Sequence, residues 1–122
     1  MNLLDIVLGS SGVELERRTL PVDESVVAQL RRGGEGRLQL GIRPEFVQLV
    51  APEASTLHGQ VDLVQDQGTF KIVDVRLDTP SAPVIKARLG EEEPVPEGRV
   101  GLAFPAAWQR FYRDDRLVEI AP

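Results

Sequence analysis

Leu38-Gln39-Leu40-Gly41-Ile42-Arg43-Pro44-Glu45 decides how the chain is read. Leu38, Leu40 and Ile42 alternate with Gln39, Gly41 and Arg43, so one face of an extended segment is apolar and the other polar or small. Pro44 ends the alternation, because it has no amide hydrogen for a ladder bond and it confines Arg43 to extended geometry. A half-buried strand stopped by a proline turn is a unit of antiparallel sheet with one face on a core. Arg43 and Glu45 flank the proline with opposite charges. The local expectation is therefore a strand-ending turn with a surface ion pair, worth about 0–1 kcal/mol.

The same period of two runs through the flanking sequence. Leu4, Ile6 and Leu8 alternate toward the N-terminus, as do Val13 and Leu15; toward the C-terminus, Ile85, Ala87 and Leu89 alternate, and then Val100, Leu102 and Phe104. Gly9-Ser10-Ser11-Gly12 predicts a hairpin between the first two runs. Gly33-Gly34-Glu35-Gly36, Ala51-Pro52-Glu53, Thr79-Pro80-Ser81 and Pro94-Val95-Pro96-Glu97-Gly98 separate the rest. From Leu57 to Leu77 the pattern is nearly continuous. Val61 and Leu63 are expected on one face, and a phase slip between Ile72 and Val73 predicts a bulge or a strand buried on both faces. One segment reads as a helix, running from Glu24 to Arg32 with Asp23 as its cap, Val26, Val27 and Leu30 on one face and Gly33 as its stop. Pro105-Ala106-Ala107-Trp108 is a second short helical candidate, with proline at the first helical position. The fold class that follows is mainly β: a small antiparallel barrel or sandwich with one or two short helices, residues 1–122 forming a single domain.

A chain of 122 residues with 42% hydrophobic content can build a core without staples, and with no cysteine none is available. Disulfide scaffolds and thiolate metal sites are excluded. The net charge of −5, from 19 acids and 14 bases, repels phosphate backbones and anionic lipid headgroups. No apolar stretch approaches the roughly 20 residues of a membrane-spanning helix, and Met1-Asn2-Leu3-Leu4-Asp5 has neither the basic region nor the cleavage site of a secretory signal.

Catalytic patterns are scarce. His58 is the only histidine, which leaves a metal site or a nucleophile–base pair without partners, and it reads as a solvated strand-edge residue. Glu91-Glu92-Glu93 reads as a solvated acidic turn that lacks the regular ligand spacing of a calcium loop. Neither glycine-rich turn is followed by the Gly-Lys-Ser/Thr of a phosphate loop. A nucleic-acid groove needs basic residues and stacking aromatics. Aromatics make up only 5% of the chain, and Phe70, Phe104 and Trp108 fall at positions expected in the core.

Gly41-Ile42-Arg43-Pro44-Glu45 also resembles the Gly-Ile-Arg-Pro-Glu signature of the C-terminal regulatory domains of carbohydrate-type ABC importer ATPases, the maltose and glycerol-phosphate types. Other segments agree in order: Met1-Asn2-Leu3-Leu4 resembles the opening segment, and Val64-Gln65-Asp66-Gln67-Gly68-Thr69-Phe70 resembles the strand–glycine–strand element, where the family more often carries Glu-x-x-Gly. Val100-Gly101-Leu102-Ala103-Phe104-Pro105 is similar to the late strand that ends in Phe-Pro, and Phe111-Tyr112-Arg113-Asp114-Asp115 to the closing turn. Gln65-Asp66-Gln67-Gly68 followed by Ile85-Lys86-Ala87-Arg88-Leu89 is most similar to members serving glycerol or related polyols.

The resemblance implies a TOBE-type, OB-like barrel of the kind also found in molybdate-binding modules. It implies a non-catalytic, cytoplasmic domain, peripheral to the inner membrane, that steadies a pair of ATPase subunits and offers a surface to regulatory partners. ATP and magnesium would belong to an ATPase domain outside these residues, preceding Met1 or carried on another chain. The partners implied are that ATPase domain, a second ATPase subunit and, indirectly, the permease, with no nucleic acid and no membrane insertion. Arg43, Pro44, Glu45, Asp66 and Gly68 are the contact or control candidates, although turn chemistry alone also accounts for Gly and Pro there. An oxyanion-binding module, using backbone N–H nests at Gly33-Gly34 or Gly9–Gly12, is the alternative. An independent enzyme would need a carboxylate pair that no spacing singles out.

Overall fold

The computed structural model describes residues 1–122. Strands β1 (Asn2–Gly9), β2 (Gly12–Leu15) and β3 (Arg18–Thr19) lead into helix α1 (Glu24–Arg32), followed by β4 (Leu38–Ile42) and β5 (Gln48–Val50). Strands β6 (Leu57–Asp66), β7 (Phe70–Leu77), β8 (Val84–Gly90), β9 (Arg99–Ala103), β10 (Arg110–Arg113) and β11 (Arg116–Leu117) complete the chain. They form two antiparallel sheets, ordered β11-β10-β4-β1-β2-β3 and β5-β9-β6-β7-β8. The small antiparallel β fold expected from the alternation is present, built as two sheets that share one core of 21 buried apolar residues.

Each alternating run buries the expected face. Leu4 and Ile6 of β1, Val13 and Leu15 of β2, Leu38, Leu40 and Ile42 of β4, Ile85, Ala87 and Leu89 of β8, and Val100 and Leu102 of β9 are all core residues. Each fully buried aliphatic side chain of this size contributes roughly 1.5–3 kcal/mol. Gly9 pairs with Gly12, which makes the predicted first hairpin. Helix α1 closes the core with Leu30, fully buried, while Val26 and Val27 pack against it.

The helix ends differ from expectation. Asp23 occupies the cap position, but its side chain makes no capping bond. Gly33 keeps right-handed helical geometry, and Gly34, at φ +85°, makes the left-handed turn. That is the conformation a helix terminus places just beyond its last turn, where a β-carbon is costly.

The bulge lies one strand earlier than predicted. β7 runs unbroken from Phe70 to Leu77, and the register shift falls in β6 between Val61, opposite Val75, and Leu63, opposite Asp74. The extra residue, Asp62, turns Leu63 to the outer face, where it is half exposed, so Val61 and Leu63 lie on opposite faces. The Asp62 carboxylate pairs with Arg76 at 2.9 Å. The slip read at Ile72–Val73 reflects two faces in use: Val73, Val75 and Leu77 are buried, while Phe70 and Ile72 are half-buried on the outer side. There Arg88 lies over the Phe70 ring, 3.9 Å from its centroid. Phe70 is therefore not a core residue.

Candidate functional site

β4 leaves the first sheet at Ile42, and the next five residues build the most unusual surface of the molecule. Arg43 is extended (φ −75°, ψ 146°), as the following proline requires. Pro44–Phe46 then forms a short 3-10 turn closed by a bond from the Phe46 amide to the Arg43 carbonyl at 3.0 Å. β9 ends in the same way. Phe104 is buried, Pro105 precedes a 3-10 turn over Ala106–Trp108 rather than opening it, and the Trp108 amide donates to the Pro105 carbonyl at 3.0 Å. Each turn ends in an aromatic residue, and the two rings stack in parallel, with centroids 4.0 Å apart and planes 3° apart. Trp108, expected in the core, is 44% exposed.

The outer face of the first sheet continues from this stack. Gly41 pairs with Leu3 on one side and Arg110 on the other. A β-carbon on Gly41 would fall 2.8 Å from Met1 Sδ and 2.9 Å from Tyr112 Cε2, so glycine here lets three neighbouring side chains converge over the strand. Leu3 and Val7 of β1 and Leu117 of β11 are more than half exposed on that surface. Arg43, Arg110, Phe46, Trp108, Tyr112 and Leu117 share a cleft of about 370 Å³.

Of the residues singled out from sequence, Arg43 sits at the rim of this face, Pro44 and Glu45 lie in the turn that leads away from it, and the expected ion pair is absent. The four ion pairs of the chain are Arg37–Asp5, Arg76–Asp62, Lys86–Asp74 and Arg99–Asp78. The proline turn is the reason: Arg43 points with the outer face of β4, whereas Glu45 lines a separate groove with Arg88 and Glu93. Asp66 and Gly68 lie elsewhere, at the β6–β7 hairpin tip. The Asp66 carboxylate accepts the Gly68 amide at 2.8 Å, and Gly68 has φ +93°. No hydrogen bond or common cleft joins them to Arg43. Sequence reading missed Phe46, Trp108, Arg110 and Tyr112. The available signal was an aromatic residue closely following each of two strand-ending prolines.

His58 is neither solvated nor at a sheet edge. It is half-buried in β6, between β9 and β7. Its Nε2 lies 2.7 Å from the Pro52 carbonyl and 2.6 Å from that of Ser55, so that nitrogen carries the proton, and Nδ1 accepts from Arg99 at 2.9 Å. Nε2 ties β6 to the Pro52–Ala54 turn and to Ser55 just after it, and Nδ1 ties it to Arg99 of β9. The Gly33 and Gly34 amides donate to helix carbonyls, which leaves no open anion nest there. No group of three or more His, Cys, Asp or Glu side chains is placed to hold a metal ion, and no helix is long and apolar enough to cross a membrane.

The TOBE domain family matches residues 40–111, more than half of the chain. No curated protein matches it. The first and last matched residues, Leu40 and Phe111, are cross-strand partners in the first sheet, so the matched segment closes on itself. Residues before it add β1, β2, β3 and α1 to that unit, with β1 laid along β4. By this match and this closure, the chain belongs to the TOBE domain family.

Proposed function

We propose that the chain is the C-terminal regulatory and dimerisation domain of the ATP-binding subunit of an ABC importer for a sugar, polyol or glycerol phosphate, working without catalysis of its own. It acts in the cytoplasm, on the inner face of the membrane, by touching protein: its own ATPase domain, a second ATPase subunit and, through them, the permease. ATP and magnesium are handled by the ATPase domain. The observation that carries this reading is the TOBE match across the self-closing segment from residue 40 to 111. The Gly-Ile-Arg-Pro-Glu run at Gly41–Glu45 supports the importer type. The outer face of β1, with Leu3 and Val7 exposed, is the surface assigned to the subunit contact; Arg43 lies at its end, with Pro44 and Glu45 in the turn that follows.

The experiment is domain deletion in a matching importer ATPase, with this chain grafted back. ATP hydrolysis by the folded ATPase half is expected to survive deletion, while control of transport is lost and then restored by the graft. A graft carrying Leu3→Lys and Val7→Lys is expected to fold but not to restore control. Full control without the domain, or full restoration by the doubly charged graft, refutes the assignment.

A further inference from the structure

The cleft at the end of the first sheet combines two chemistries, an aromatic wall and a pair of guanidinium groups. Its apolar wall is the Phe46–Trp108 stack with Met1, Tyr112 and Leu117, and its polar wall is Arg43 and Arg110, with no carboxylate lining it. In a chain of net charge −5 that is a local excess of positive charge. Arg43 makes no ion pair and no side-chain hydrogen bond within the protein, and all four ion pairs lie elsewhere. Arg110 uses Nη1 on the carbonyls of Ala107 and Gln109, at 3.1 and 2.9 Å, which steadies its guanidinium and leaves Nη2 and Nε unengaged.

Position brings the two arginines together. Arg110 pairs with Gly41, and Arg43 lies two residues further along the same face of the extended chain. Diagonal neighbours of this kind rise about 7–8 Å apart, within reach of one anionic group between two long side chains. Phe46 stacks on one face of Trp108 and fixes the indole plane, and Trp108 as a residue is 44% exposed. At about 370 Å³ the cleft falls at the small end of ligand-site volumes.

We infer that this cleft binds a small anion carrying a flat ring, of the nucleoside monophosphate class, with the ring against Trp108 and the phosphate held by Arg43 and Arg110. A guanidinium pair alone takes any anion, and a stacked indole alone takes any aromatic ring; the combination selects molecules that carry both. A nucleic-acid strand is disfavoured, since each further phosphate would run over an acidic protein that offers only two guanidinia here. The inference is independent of the transporter assignment, and its test uses the 122-residue chain alone.

Trp108 is the only tryptophan, so its emission and its single indole N–H resonance report this cleft and nothing else. AMP is expected to quench the emission saturably and to shift the indole resonance. Adenosine, which lacks the phosphate, and ribose 5-phosphate, which lacks the ring, are each expected to bind at least about tenfold more weakly. Arg43→Ala is expected to weaken AMP by about tenfold and Arg43→Glu by more, with Arg43→Lys intermediate, because lysine keeps the charge but loses the fork. Arg43 is exposed, so these variants are expected to keep the wild-type circular dichroism and melting temperature. Any of four results overturns the inference: no response to millimolar AMP, adenosine or ribose 5-phosphate equal to AMP, AMP binding unchanged in Arg43→Glu, or an oligo-deoxyadenylate bound more tightly than AMP, which would mark a nucleic-acid surface instead.

Discussion

Asn2 joins the two sheets, and replacing it is expected to cost more than its size suggests. β8 is the outer strand of the second sheet, so the Lys86 amide and carbonyl point away from β7 with no strand to meet them. The Asn2 side chain meets both: Nδ2 donates to the Lys86 carbonyl at 2.8 Å, and Oδ1 accepts the Lys86 amide at 2.8 Å. One carboxamide stands in for a strand at an edge that would otherwise be open. Asn2 is only 8% exposed, so little water competes. Two neutral hydrogen bonds at about 1 kcal/mol each give roughly 2 kcal/mol for Asn2→Ala, where water can enter the vacated space. Asn2→Leu fills that space with methyl groups and shuts water out, leaving both Lys86 groups unpaired. At about 1–3 kcal/mol for each stranded group, partly offset by the added apolar burial, it is expected to cost roughly 3 kcal/mol. Hydrophobicity alone ranks Leu above Ala here, whereas the geometry ranks it below. Urea denaturation with an unchanged slope reads the difference directly, and thermal melting is expected to fall by about 3–6 °C per kcal/mol for a chain of this length. An Asn2→Leu variant as stable as wild type, or more stable than Asn2→Ala, refutes the strand-mimic argument.

Four further outcomes are expected. Gly59→Ala would set a β-carbon 2.6 Å from the Arg76 carbonyl oxygen, against backbone that cannot yield, and is expected to cost about 2–3 kcal/mol by urea denaturation. Gly41→Ala meets only surface side chains that can move and is expected to stay within about 1 kcal/mol of wild type. Gly68→Ala, at φ +93°, is expected to cost about 1–2 kcal/mol with no change in molecular mass by sedimentation; a change in mass with no loss of stability would make the hairpin tip a contact instead of a turn. The Glu16 carboxyl is held below its ordinary value of 4.5 by the Thr79 and Ser81 hydroxyls and the Ser81 amide. The Ser81 bonds, at 2.7 and 2.9 Å, are the well-formed ones, while the buried Thr79 Oγ1 meets no partner with full hydrogen-bond geometry, so we assign the effect mainly to Ser81. A lowered folded-state value stabilises above the unfolded one and is lost as pH falls through it. The stability difference between wild type and Glu16→Gln is therefore expected to be full above about pH 4.5 and to shrink on acidification below it; a difference independent of pH would refute the assignment.

Much of this fold is legible in the sequence because a half-buried strand repeats every two residues wherever it lies. Leu38, Leu40 and Ile42 needed no knowledge of their partners to be placed inward. Features that depend on a partner were not legible. The bulge at Asp62 falls just past Gln60, the last residue of β6 paired with β9, and no local pattern in β6 states that its register with β7 slips after Val61. Phe70 carries a core composition and sits outside, because β7 spends its buried face on Val73, Val75 and Leu77.

The candidate site illustrates the same division. Arg43-Pro44 and Phe104-Pro105 each announce a strand end, and proline restricts both positions whatever surrounds them. That Phe46 and Trp108 should meet is stated by neither segment. It follows from topology: of the strands these turns feed, β5 is joined later in the chain by β9, and β10 returns to β4. The chain thus crosses between the sheets twice, from β4 to β5 and from β9 to β10, and each crossing is made through a proline turn that ends in an aromatic ring. Since the stacked pair is made by the two crossings, a change that loosens it, such as Phe46→Ala, is expected to reach the packing between the sheets as well as the cleft. Arg43→Ala, one turn away on the same surface, touches only the cleft.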